Sequence, residues 1–310
     1  MKQRYYTLNQ YFQERFGEKV YKISLNGGMT CPNRDGTCGN RGCIFCSEGG
    51  SGDFASSATL SIKEQIKEGK LRLHQKQTGQ KFIAYFQAFT NTYAPISYLR
   101  HIFYEAIKPD DIVGISIGTR PDCLSKEVLT LLQELNEIKP VFVELGLQTI
   151  YEQTATFIRR GYELPCFEEA VYHLKEIGCN VVVHMILGLP NETNAMIINE
   201  MRYLNTLPID GIKLHLLHIL KNTDLAIYYE KHPFHIYTLE EYTDLILACI
   251  NELRPDIVIH RITGDGPKNL LIAPLWSGHK KLVLNTIHHQ MKEQDCYQGK
   301  LYNKENHFSL

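Results

Sequence analysis

Long apolar runs are missing from this sequence. No stretch approaches the roughly 18 residues that a membrane-spanning helix needs, and the opening MKQRYYTLNQYFQERF is too polar for the apolar centre of a secretory signal. These absences predict a cytoplasmic protein with no membrane partner. An excess of charge of one sign is also missing: 33 basic against 34 acidic residues give a formal charge of −1. A nucleic-acid partner would therefore have to be held by local patches, not by a general field. No low-complexity linker interrupts the chain, and no dinucleotide fingerprint follows its first apolar run, which argues against a nicotinamide-binding fold. Nor is there a secreted disulfide framework: of nine cysteines, five (Cys123, Cys166, Cys179, Cys249 and Cys296) are scattered singly.

What is present is a period. Short β-branched runs at 19–26, 81–87, 111–118, 140–147, 180–187 and 211–218 alternate with helical patterns at 61–78, 95–107, 124–136, 150–160, 165–177 and 193–205. Six βα units predict a parallel sheet, either doubly wound or barrel-like. The remaining four cysteines follow the first run directly, in CPNRDGTCGNRGCIFC at 31–46; a barrel, the preferred arrangement, carries its reactive groups in loops at the C-terminal ends of strands. The expected fold is α/β, preferably a partial TIM-like (β/α)6 barrel with a C-terminal extension. The core spans 1–255 with an N-terminal lead-in. The extension, 256–310, packs on the same domain and carries a short strand at 256–262 and a last helix at 279–293, after a helix at 238–252.

Cys31, Cys43 and Cys46 form a Cys-x-x-Cys pair with a third thiol upstream, and Cys38 lies inside the long gap. Spacing alone admits a structural zinc, an iron-sulfur cluster or a redox dithiol. The number of ligands separates them. Four thiolates close a site, whereas three leave one metal with an open position.

Further stretches fall in register with that motif: GTRPDCL (118–124), VELGLQTIYEQTATFIRRGY (143–162) and HMILGLP (184–190). Together with CPNRDGT and GCIFC they resemble the radical SAM superfamily, in particular its YtqA/YhcC-like subgroup. More distantly they resemble the Elongator catalytic subunit and oxygen-independent coproporphyrinogen oxidase. The resemblance implies that Cys31, Cys43 and Cys46 hold three irons of a 4Fe-4S cluster, the fourth iron binding the amino and carboxylate groups of S-adenosylmethionine (SAM). It implies that Gln148 and Arg160 face SAM, that His184 contacts its ribose and that Gly188 approaches its adenine. The superfamily's Gly-Gly-Glu type motif is absent from YFQAFTNTY (85–93), where Asn91, with Gln87 and Thr90, is the candidate. Cys38 has no counterpart in the family motif.

The implied chemistry is reductive cleavage of SAM to methionine and a deoxyadenosyl radical, with electrons from a donor such as flavodoxin or ferredoxin. The subgroup resemblance points to a tRNA substrate of the MnmL type, a wobble uridine whose carboxymethylaminomethyl side chain becomes aminomethyl. Such a base needs a cation for its carboxylate, and Arg120, Lys213 and His215 are the candidates, with His218, Arg261 and Lys268 behind them. Charge-rich helices at 61–81 and 278–292 are candidate phosphate contacts. Competing expectations are a radical SAM enzyme with another substrate, a zinc-stabilised RNA-binding barrel without redox chemistry, and an iron-sulfur electron carrier.

Overall fold

The structure, a computed structural model, describes residues 3–50, 56–73, 79–264 and 266–303. Seven strands form one all-parallel sheet in the order β1 (Val20–Leu25), β2 (Lys81–Phe86), β3 (Ile112–Thr119), β4 (Val141–Gln148), β5 (Asn180–Leu187), β6 (Gly211–Leu216) and β8 (Val258–Arg261). The partial barrel expected from the βα period is therefore present, with one strand more than six. The short run at 256–262 supplies that strand and pairs parallel with β6. A separate pair, β7 (Ile219–Leu220) and β9 (Leu271–Ala273), is antiparallel.

Helices α2 (Ile62–Leu73), α3 (Ile96–Ile107), α4 (Lys126–Ile138), α5 (Glu152–Phe157), α6 (Leu164–Glu176) and α7 (Asn194–Asn205) follow the strands in turn. Residues 74–78 of the first expected helix lie outside the described residues. On α4 the buried Val128, Leu131, Leu132 and Leu135 recur at helical spacing, and the Ser125 side chain accepts from the Val128 N–H as cap. Such side chains fill the layer between helices and sheet, each contributing about 1.5–3 kcal/mol when fully buried. Two helices had not been anticipated, α1 (Leu8–Phe16) and α8 (Asp224–Lys231), whereas α9 (Leu239–Glu252) and α10 (Lys280–Glu293) match expectation.

The inner face of the sheet shows its curl. Lys22 of the edge strand β1 and His184 and Lys213 of β5 and β6 all bond to one carboxylate, Glu144 of central β4, which a flat sheet would not permit. Beneath them, Phe12 of α1 packs with Val20, Ile83 and Phe142, and α1 touches both β1 and β8. The N-terminal end of the half-barrel is thus plugged by apolar side chains, and its lumen opens at the C-terminal ends of the strands.

Candidate active site

At that end lies a cavity of about 320 Å³. One wall is the loop after β1, carrying Cys31, Cys43 and Cys46. Between the last two, Ile44 is buried with Ile158, Leu189, Leu217 and Leu225, and its backbone N–H donates to the Ile158 carbonyl (3.2 Å) while its carbonyl accepts from the Leu225 N–H of α8 (2.8 Å). The apolar residue of the Cys-x-x-Cys pair therefore anchors both thiols. Asn33 Nδ2 donates to the Arg159 carbonyl (2.7 Å) and lies 3.4 Å from Cys43 Sγ. Burial, then the neighbouring Cys46, pushes the Cys43 thiol up to about 11, so a metal must displace its proton. Among the described residues no trio of His, Cys, Asp or Glu side chains is drawn up to ligand spacing, and the three thiols share a wall without converging. Cys38 is exposed and lines a different cleft, with Asp122, Cys123 and Cys166.

A second wall comes from strand ends. Gln148 ends β4 with φ +66°, a left-handed backbone that a side chain other than glycine's adopts at a cost. Its amide Nε2 would lie 2.5 Å from a Cβ at position 146, so the bare Gly146 leaves room for the amide in this orientation. Arg160 is 1% exposed and donates to the Thr149 carbonyl (2.7 Å), the Tyr162 carbonyl (2.9 Å) and Glu152 Oε1 (2.8 Å). Arg120 forks onto Asp122 at 2.9 and 2.7 Å and donates to the Arg160 carbonyl (2.8 Å). Both arginines line the cavity, but with their guanidinium groups engaged by the chain itself.

Asn91 is fully buried away from the cavity lining, its Nδ2 donating to the Gly118 carbonyl (2.8 Å) and its Oδ1 unpartnered. Gly188, at φ +91°, lies against the Tyr237 ring and also outside the lining residues. His218 meets Ser277 Oγ at 2.9 Å, and Lys268 is exposed.

The floor is polar. Glu144 is buried and accepts from Lys22 Nζ (2.7 Å) and Ser116 Oγ (2.6 Å) at Oε1, and from His184 Nε2 (2.7 Å) and Lys213 Nζ at Oε2. Burial raises its pKa, but Lys213, Lys22 and His184 more than offset that and hold the carboxyl well below its usual range. Burial and the Lys213 charge push His184 down to about 4, so at neutral pH its uncharged ring donates Nε2–H.

Both shifts make acid destabilising. The native state takes up the His184 proton only near pH 4 while the unfolded chain does so near 6.5, and Glu144 contributes its full stability above its ordinary carboxylate value and loses it progressively as the pH falls below that. Urea-unfolding free energy is expected to fall as pH drops from 6.5 to 4, with a shallower slope in His184→Asn. Equal slopes contradict the assignment.

Residues 36–204 match the Radical SAM superfamily and residues 209–293 the Radical_SAM C-terminal domain. The chain belongs to the radical SAM superfamily. It is 45% identical to YtqA of Bacillus subtilis (strain 168), over 97% of this chain and 94% of that protein. It is 37% identical to YhcC of Escherichia coli (strain K12), over 84% of each. Its fold matches that of the archaeal Methanocaldococcus infernus Elp3 with an N-terminal deletion, at a TM-score of 0.68 and 16% identity, covering 94% of this chain and 68% of that one.

As a radical SAM enzyme the protein uses a 4Fe-4S cluster and SAM. The donor set at the cavity fits such a cluster: three thiols on one wall, a fourth turned to another cleft, and arginine-rich surroundings that offset thiolate charge. The superfamily match begins after Cys31, yet that thiol lines the same wall. Sequence reasoning missed Lys22, Tyr85, Ser116, Glu144 and His260, all on the inner face. The signal available was a charged or polar residue at an alternate position within an otherwise apolar parallel strand, where both faces are normally buried.

Proposed function

We propose that Cys31, Cys43 and Cys46 hold three irons of the cluster, and that the enzyme modifies the tRNA wobble uridine, taking carboxymethylaminomethyl to aminomethyl. The carrying observation is that one cavity joins those three thiols to Gln148 and Arg160 at the strand ends and continues to a polar floor. The bound cluster and SAM supply electron transfer and hydrogen-atom abstraction. The chain's part is to seat them and keep water away. Ile44 fixes the thiol loop, Gln148 offers its amide toward the cavity, and Arg160 knits the β4–α5 turn from within. Asn91 and Gly188 shape the loops after β2 and β5 around that seat.

The motif resemblance to the wobble-uridine branch supports the tRNA substrate, and a low-potential donor such as flavodoxin or ferredoxin and a cytoplasmic location follow from the same reading. Digested tRNA from a strain lacking this protein is expected to accumulate carboxymethylaminomethyluridine and lose the aminomethyl-derived nucleosides. An unchanged nucleoside profile refutes the substrate while leaving the SAM chemistry standing.

A further inference from the structure

The floor of the cavity keeps hydrogen-bonding capacity that the packing around it does not use. Among the described residues lining the cavity, Glu144 is the single carboxylate; Arg34, Arg120 and Arg160 line the walls, and Lys213 and Arg261 share the floor with it. Arg120 and Arg160 are engaged by Asp122 and Glu152, but Lys213 shares Glu144 with Lys22. An ammonium has three N–H groups. Those of Lys213 reach Glu144 and the Tyr85 hydroxyl (3.1 Å), with its charge also 4.7 Å from the Tyr85 ring centroid, and one donor remains for a ligand.

One imidazole completes the picture. Among the described residues His215 Nε2 is covered from solvent and has no hydrogen-bond partner. His215 lines the cavity with its ring centroid 5.2 Å from that of His184. Buried polar atoms are normally paired, and an orphan at a cavity wall is most simply explained by a ligand that supplies the partner. Lys213 is pushed down to about 7 chiefly by burial, with Lys22 and Arg261 adding to that against the pull of Glu144. A purely structural role does not account for this layer. The half-barrel is already closed beneath it by Phe12, Val20, Ile83 and Phe142, and barrel interiors are ordinarily filled by branched apolar side chains.

We propose that this floor is the seat for a carboxylate carried by the substrate, received by Lys213, Arg261 and the His215 ring, while Lys22 and Ser116 hold Glu144 in place. The seat deepens the reading above, since it rests on this cavity being where substrate meets the SAM chemistry. It selects an acidic substituent and rejects the same substituent once its acid is removed, so that substrate and product differ in the group the floor binds.

The test uses the full chain, anaerobically reconstituted and with SAM bound. Acetate is expected to raise the melting temperature by about 2 °C or more over acetamide and chloride at matched ionic strength. Lys213→Met strands Glu144 with fewer partners, so the charge-balanced Lys213→Met/Glu144→Gln variant is measured beside it, with iron content as the check on folding. Loss of the acetate response in both variants, and its retention in Lys213→Arg, supports the seat. Acetate and acetamide acting alike on the unaltered protein overturns it. A second arm compares 5-carboxymethylaminomethyluridine with 5-aminomethyluridine, the former expected to bind at least about tenfold tighter, one charge-assisted contact's worth. An acetate response with no discrimination between the nucleosides keeps the seat and removes the wobble-uridine substrate.

Discussion

Alanine at Cys31, Cys43 or Cys46 is expected to abolish cluster assembly and, with it, formation of deoxyadenosine from SAM. Partners that merely orient metal ligands typically contribute 10–100-fold, so removing a ligand should cost more than about 100-fold. Asn33→Ala, which withdraws the amide beside Cys43 Sγ, belongs to the smaller class at about tenfold. Cys38→Ala is expected to keep both iron and activity, because that thiol is exposed in the cleft with Cys123 and Cys166 and is not among the residues lining the cavity. Iron and sulfide analysis with chromatography of the nucleoside checks all five variants. Equal dependence on Cys38 contradicts the three-thiol assignment.

Glu144→Ala has the largest effect expected on stability. The carboxylate is the common partner of Lys22, Lys213, Ser116 and His184, and deleting it leaves the buried Lys213 and the partly buried Lys22 without their shared counter-ion. Breaking a buried ion pair from one side costs about 3–5 kcal/mol. Glu144→Gln keeps hydrogen-bond acceptance at one oxygen and should cost less. Denaturant unfolding at pH 7 measures both, and a loss below about 1 kcal/mol for Glu144→Ala, the scale of an exposed pair, contradicts the network.

The βα alternation was legible because parallel strands are apolar on both faces and their helices carry one apolar stripe. The seventh strand was legible as a strand but not as part of the sheet, since its pairing with β6 is a long-range contact that no local pattern encodes. Helix α1 hid inside a polar N-terminus. Its signal was Thr7 as cap and Leu8, Tyr11, Phe12 and Phe16 at helical spacing. Helix α8 followed a run, LHLLHIL, that reads as one continuous strand but divides at Leu217 into β6 and β7.

At the site, the cysteine motif stood out because its residue type and spacing are rare together. Cys38 was ambiguous because spacing does not say which way a loop thiol turns. Arg120 looked available as a substrate cation, yet Asp122, two residues on, takes its fork. Lys22 and Glu144 were overlooked because a period of two marks alternate faces without saying which is solvent and which is lumen. The curl of the sheet decides that, and it is a property of all seven strands together.

The most direct test of the central claim is made on anaerobically reconstituted protein given dithionite and SAM, with metal content and nucleoside products measured on the same sample. About four irons per chain and deoxyadenosine that requires Cys31, Cys43 and Cys46 are the expected result. Stoichiometric zinc bound by all four clustered cysteines, with no nucleoside released, would contradict it and make the loop after β1 a closed structural site.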